Sequence, residues 1–177
     1  RLNLRSAARR TCEQIARCGE LGELFDTVLA GLQQHFGIEH TMILMLDRST
    51  DRLYTVASRG YPASGIGAEV GLGEGVIGVS AAQRVPIRIG WLTSEYAYGT
   101  AVADSARAAG LDWECKTAIP YPGLKEPQSQ VAIPILGDGR TVGVLFAESP
   151  EPYRFGYDQE DALALVAALL AARIALL

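Results

Sequence analysis

The chain has 177 residues, of which 49% are apolar and 20% charged, an ordinary composition for one soluble globular domain that buries its own core. The net charge of −4 argues against nucleic acid as a direct partner. The three cysteines show no metal-ligand spacing and no signal peptide is recognisable, so a reducing, cytoplasmic location is expected.

Two helices are predicted at the start of the chain. Residues 5–18 carry a loose apolar stripe that Gly19 ends. Residues 21–36 carry a clearer stripe with steps of three and four residues, and Gly37 follows where glycine commonly ends a helix. We expect residues 1–19 to form a helical flank and residues 20–177 to form the ligand-binding domain.

The next segments predict two β-hairpins with a glycine-rich stretch between them. "HTMILMLD" and "RLYTVASRG" are joined by "RSTD", and "QVAIPIL" and "TVGVLFAES" are joined by "GDGR". Between the hairpins, "GLGEGVIGVSAAQ" predicts tight turns and a short helix, and "VPIRI" predicts a short strand. A dinucleotide fingerprint needs a parallel strand before it and a long helix after it, so phosphate binding is not predicted.

The order of elements predicts an α+β domain. Hairpins dominate and no strand–helix–strand repeat occurs, so the central sheet should be mainly antiparallel, with about six strands and with helices packed on one face. The final helix, from about residue 157, is apolar on all sides and too short for a bilayer span, so no membrane partner is predicted.

Three blocks of the sequence resemble a GAF domain. They are "LFDTVLAGLQQHFGIEHTMILMLDRSTDRLYTVASRGYP", "GLGEGVIGVSAAQRVPIRI" and "SQVAIPILGDGRTVGVLFAESPEPYRFGYDQEDALALVAALLAARIAL", and the resemblance covers roughly residues 20 to 177. The resemblance implies an architecture related to that of PAS domains. It also implies helices that often pair in a dimer and a small-molecule pocket on the opposite face, under variable loops. GAF domains usually serve as sensory modules of signalling or transcription-regulatory proteins.

The segment from residue 91 to 128 is long and rich in aromatic residues and proline, which favours a ligand pocket. Arg88 alternates with Ile87 and Ile89. If the two isoleucines face the helical core, Arg88 faces the loop and could pair with an anionic ligand. Alternatively, Arg88 is a solvent-exposed strand residue and the aromatic residues form a second small core. The predicted ligand-binding residues are Arg88, Trp91, Ser94, Tyr96, Tyr98, Asp104, Trp113, Cys115, Tyr121 and Gln130.

No catalytic pattern is recognisable, so the chain is predicted not to be an enzyme and to hold no metal; its cofactor, if any, is unknown. No GxSxG motif occurs, and His35 and His40 are remote from the aromatic segment in sequence. The free methionine sulfoxide reductases share the GAF fold and use pocket cysteines. Ile77 stands where those enzymes resemble "GVCG", which leaves Cys115 as the thiol of the pocket region. A Cys115-dependent redox enzyme stays an alternative.

The final helix carries two apolar stripes. One stripe should pack on the sheet, and the other predicts a homodimer through the N- and C-terminal helices, with the signal passing to an effector domain in the parent chain. The N-terminal helix could instead cover the second stripe within one chain, or the domain could be a dimerisation module with a vestigial pocket. The first stripe is Leu163, Val166, Ala167, Leu170 and Ile174, and the second is Leu165, Leu169, Ala172 and Leu176.

Overall fold

The computed structural model describes residues 2–92 and 123–177. Two helices come first, then three strands, a short helix, three further strands and a long final helix. In chain order these are α1 (Leu4–Ile15), α2 (Leu21–Phe36), β1 (His40–Asp47), β2 (Arg52–Arg59), β3 (Glu69–Gly71), α3 (Gly75–Gln83), β4 (Ile87–Ile89), β5 (Ser129–Gly137), β6 (Arg140–Ser149) and α4 (Tyr157–Leu176).

The six strands form one sheet in the order β3-β2-β1-β6-β5-β4, and each neighbouring pair is antiparallel. Local turns explain the two hairpins. Asp138 and Gly139 between β5 and β6 have φ angles of 53° and 73°, as a tight hairpin turn requires. The pairing of β1 with β6 then joins the hairpins into one sheet. The predicted α+β fold is confirmed.

The two faces of the sheet are covered differently. The helical face, with Ile43, Val131 and Leu145, packs against α1, α2 and α4 in the larger core. The opposite face, called the α3 face below, packs Met42 and Phe146 against α3 in a smaller core. Because side chains alternate along a strand, successive residues of β1, β5 and β6 enter different cores.

The glycine-rich stretch forms a tight turn whose amides bond within the turn. Gly73 N–H donates to the Gly78 carbonyl at 2.9 Å, and Gly71 N–H donates to the Glu74 carboxylate at 3.0 Å. A Cβ atom at Gly78 would lie 2.3 Å from the Gly71 carbonyl oxygen, so only glycine fits there. The stretch thus forms the predicted tight turn, with two backbone segments in close contact. The partner of the Glu74 carboxylate, the Gly71 amide, was not evident from the sequence.

The final helix α4 divides into a buried and an exposed stripe. Leu163, Val166 and Leu170 are almost completely buried on the sheet side, whereas Leu165 and Leu176 are 64% and 75% exposed. Helix α1 contributes Ala8 and Ile15 to the same helical layer, and it still leaves Leu165 uncovered. Across the described residues, no helix combines the length and the apolar character needed to cross a membrane.

Candidate functional site

The structure describes three of the ten predicted ligand-binding residues: Arg88, Trp91 and Gln130. Trp91 is 48% exposed where the aromatic segment begins, and Gln130 lies on β5 facing the α3 side. Gln130 and Arg88 lie on opposite faces of the sheet. The other predicted residues lie outside the described part of the chain: Ser94, Tyr96, Tyr98, Asp104, Trp113, Cys115 and Tyr121.

The predicted orientation of Arg88 is wrong. Arg88 lies opposite Val131, which is buried in the helical core, and Ile89 lies opposite Gln130. Residues directly opposite each other share a face, so Arg88 points to the helical side and the flanking isoleucines point to the α3 face. Nor is Arg88 a solvated strand residue, because its side chain is only 21% exposed. The register of a three-residue strand decides this orientation, and the local sequence does not reveal it.

A buried carboxylate lies on the α3 face. It belongs to the central strand β6 and lies near one end of that strand. Glu148 is 1% exposed, although it follows a run of apolar and small residues on β6, from Thr141 to Ala147. It lies opposite His40 on β1 and opposite Gln130 on β5. The sheet therefore places three polar side chains side by side across adjacent strands.

Three donors bond to the Glu148 carboxylate. Tyr61 Oη donates to Oε1 at 2.9 Å, and the Leu124 amide donates to the same oxygen at 2.7 Å. Gln130 Nε2 donates to Oε2 at 3.0 Å. Hydrogen bonds to an ionised acceptor are short and strong, and together they offset part of the cost of burying the charge.

Tyr61 and His40 lie in the same buried environment as Glu148. Burial, and then the adjacent Glu148 carboxylate, raise the pKa of Tyr61 well above its usual range, so Tyr61 stays a hydrogen-bond donor. The His40 ring lies 5.5 Å from the Tyr61 ring, and its Nδ1 atom is buried without a hydrogen-bond partner within the described residues. A cleft of about 140 Å³ at this end of the sheet is lined by residues that include His40, Glu148, Ser149 and Arg154.

Both described ends of the 91–128 segment are hydrogen-bonded, and one of them bonds to this cluster. The Leu92 amide donates to the Gln128 carbonyl at 2.7 Å, and the Leu124 amide donates to Glu148. We call Glu148, Tyr61, Gln130 and His40 the Glu148 cluster. Among the residues that the structure describes, no group of three or more His, Cys, Asp or Glu could hold a metal ion.

The sequence interpretation missed three of these four residues. Glu148 stands two residues after Phe146 and four after Val144, both of which face the smaller core, so the alternation placed a carboxylate on a buried face. A charged residue at a buried strand position is a recognisable signal of a paired or functional group. The partners Tyr61 and His40 could not be assigned in the same way, because the β1–β2 and β1–β6 pairings bring them near.

Comparisons with known proteins agree with this architecture. A sequence model of the GAF domain family matches residues 20–174. The GAF domain of an Acinetobacter phosphoenolpyruvate-protein phosphotransferase superposes with a TM-score of 0.75 at 19% identity, over 96% of this chain and 91% of that chain. A search of curated protein sequences gave no match.

Two further similar structures are enzymes. The free methionine-R-sulfoxide reductase of Neisseria meningitidis, in complex with its substrate, has a TM-score of 0.74 at 19% identity, over 97% of this chain and 88% of that chain. The Staphylococcus aureus enzyme has a TM-score of 0.72 at 16% identity, over 98% and 97%. These similarities show a shared fold, and the two reductases are enzymes with this fold. The prediction that the chain is not an enzyme is therefore corrected: enzymatic activity is open to it.

The raised pKa of Tyr61 generates a pH prediction. Above about pH 10 the unfolded chain releases the Tyr61 proton while the folded protein keeps it, so the free energy of unfolding falls with rising pH, by up to about 1.4 kcal/mol per pH unit from this group. We expect Tyr61→Phe to remove that part of the slope in urea unfolding between about pH 9 and 11. Tyr54→Phe, at a 40% exposed position, is the control. Equal slopes for Tyr61→Phe and wild type would contradict the assignment.

Proposed function

Because the chain belongs to the GAF domain family, we propose that it is a regulatory domain that binds a small molecule on the α3 face of its sheet, beside the Glu148 cluster. In this proposal it acts within a larger signalling or transcription-regulatory protein. The observation that carries the proposal is Glu148 itself, a carboxylate that is 1% exposed on the sheet face that also carries the smaller apolar core.

The burial of Glu148 is energetically costly. Burying a carboxylate costs several kcal/mol, and an apolar residue of similar size would stabilise the fold at least as well. Polar groups converging in an apolar surface are typical of ligand sites. The Leu124 amide of the aromatic segment donates to Glu148, so a ligand between the sheet and this segment would contact both.

The chemistry of the cluster favours a ligand that donates hydrogen bonds, such as an amine or an amide. An ionised carboxylate only accepts, and the buried Nδ1 atom of His40 offers one further polar contact. The expectation of an anionic ligand rested on Arg88, which lies on the opposite face beside Glu160. We therefore propose a neutral or cationic small molecule.

Ligand binding is tested by native mass spectrometry of the purified protein and by thermal shift with a panel of amines and amino acids. We expect at least one compound to raise the melting temperature. Glu148→Gln should weaken its binding by roughly 10- to 100-fold, because a hydrogen bond to a charged group contributes about 1.5–3 kcal/mol. The control is Glu20→Gln, an exposed residue before α2. No shift with any compound, or equal binding by Glu148→Gln, would contradict the proposal.

We also propose that two copies associate through α1 and α4. Leu165 and Leu176 are largely exposed on α4, and Leu2 is 46% exposed just before α1. A groove of about 740 Å³ between these helices carries Arg5 as well as Asp158 and Asp161. Opposite charges flanking an apolar stripe allow the same surface to pair with itself around a two-fold axis.

The dimer proposal is tested by sedimentation of Leu165→Glu. We expect this variant to be monomeric at concentrations where the wild type is dimeric, because a charge would be buried in an apolar contact. Ile66→Glu is the matched control, since Ile66 is 65% exposed in a loop away from α1 and α4. Leu170 is unsuitable, because it is fully buried and its replacement would unfold the domain. A monomeric wild type, or a dimeric Leu165→Glu, would refute the proposed interface.

Reduction of a small sulfoxide is a second candidate function, favoured by the likeness to two free methionine-R-sulfoxide reductases. Both described cysteines, Cys12 and Cys18, lie in the helical layer, across the sheet from Glu148. Cys115 is therefore the candidate nucleophile. Its thiolate would take the sulfoxide oxygen and become a sulfenic acid, and an external dithiol would restore the thiol with release of water and formation of a disulfide.

This second candidate predicts dithiothreitol-dependent consumption of free methionine-R-sulfoxide, measured by chromatography of the product methionine. Cys115→Ser should abolish the activity, and Cys18→Ser should retain it because Cys18 is remote from the proposed site. Absence of turnover in the fully reduced wild type would remove this candidate and leave the ligand-binding proposal intact.

A further inference from the structure

The edge strand β4 leads directly into the aromatic segment and is attached to the connection before α4. The Tyr153 amide donates to the Gly90 carbonyl at 2.7 Å. A Cβ atom at Gly90 would lie 2.9 Å from the Tyr153 ring, so the two chains pass in close contact. Tyr153 itself has a φ angle of 55°, which is uncommon for a residue with a bulky side chain. The backbone therefore joins the end of β4 to the approach to α4.

Arg88 extends this attachment to the helix. Its Nη1 donates to the Phe155 carbonyl at 3.3 Å, and its Nε lies 3.5 Å from a Glu160 carboxylate oxygen. Its guanidinium carbon lies 4.1 Å from the centre of the Tyr157 ring. The side chains of Arg88 and Glu160 are only 21% and 20% exposed, so this contact is less screened by solvent than a surface ion pair.

Among the described residues, no side-chain cap bonds the start of α4. Its N-cap residue, Gly156, offers no side chain to bond the free amides. Arg154 in the preceding connection donates to Gln159 at 2.7 Å, and Arg88 reaches this turn from β4. The order of the first turn should therefore depend on the position of β4.

The Glu148 cluster contacts the same strand from the other face. Gln130 donates to Glu148 and lies opposite Ile89 in the β4–β5 pairing. Ile89 adjoins Arg88 in the chain. A continuous series of contacts thus runs from Glu148 through Gln130 and β4 to Arg88, and from Arg88 to Tyr157 and Glu160.

We propose that Arg88 couples the Glu148 cluster to the first turn of α4. A change at the cluster shifts β4, and Arg88 transmits the shift around the edge of the sheet to the helix. The inference rests on the proposed function in one respect, because the ligand at Glu148 would be the natural input. Coupling of this kind requires both ends to act on one element, here the edge strand.

The test is a double-mutant cycle read by hydrogen exchange at the start of α4, residues 157–163, which includes its first turn. The four proteins are wild type, Glu148→Gln, Arg88→Met and the double variant. We expect Glu148→Gln to change exchange of this turn roughly threefold or more in the wild-type background, and to have no further effect once Arg88 is replaced. Arg140→Met, an exposed residue at the start of β6, is the control that should preserve the effect of Glu148→Gln.

Two results would overturn the inference. One is unchanged exchange of the α4 first turn in Glu148→Gln, and the other is an equal effect of Glu148→Gln with and without Arg88. If Arg88→Met does not fold, Glu160→Gln breaks the same contact from the helix side and takes its place in the cycle. The cycle needs no ligand, so failure to find a ligand and failure of the coupling are separate results.

Discussion

The register of β6 between β1 and β5 is the constraint on which the rest of this domain depends. It joins two locally formed hairpins into one sheet, and it places His40 and Gln130 on either side of Glu148. A slip of one residue would turn Glu148 into the helical core and Leu145 out of it. The apolar core and the polar cluster are therefore specified together. The core holds the register, because the slip would bury an unpaired carboxylate in the helical core.

The two faces of the sheet differ: one buries most of the apolar surface, and the other carries the buried polar cluster. The helical face carries the larger core, with α1, α2 and α4 packed over it. Within the described residues, the short helix α3 and a smaller apolar core cover the α3 face, and the Glu148 cluster lies at one end of that face. Burying the Glu148 carboxylate lowers the stability of the fold, even with three hydrogen-bond donors. The fold tolerates this loss because the helical layer supplies most of the apolar burial.

Local patterns predicted much of the fold, and long-range pairing decided what they missed. The "GDGR" turn, the helical periodicity of α2 and the two stripes of α4 are properties of neighbouring residues, so the hairpin, the helix and the exposed Leu165 followed from the sequence. The orientation of Arg88 did not follow. All three residues of β4 are half-buried, so alternation gives no clue to the face. The partners of Glu148 come from positions 61, 124 and 130, and no local rule connects them.

The position of Arg88 also bears on how a sheet of this kind can transmit a change from one face to the other. Within the sheet both faces are filled by packed apolar side chains, and a displacement there would disturb two cores at once. An edge strand has a neighbour on one side only and is free to move at lower cost. β4 is the edge strand that touches the Glu148 cluster through Gln130 and the start of α4 through Arg88. A regulatory ligand and a substrate would move β4 in the same way, because either occupant would act on Glu148 and its donors.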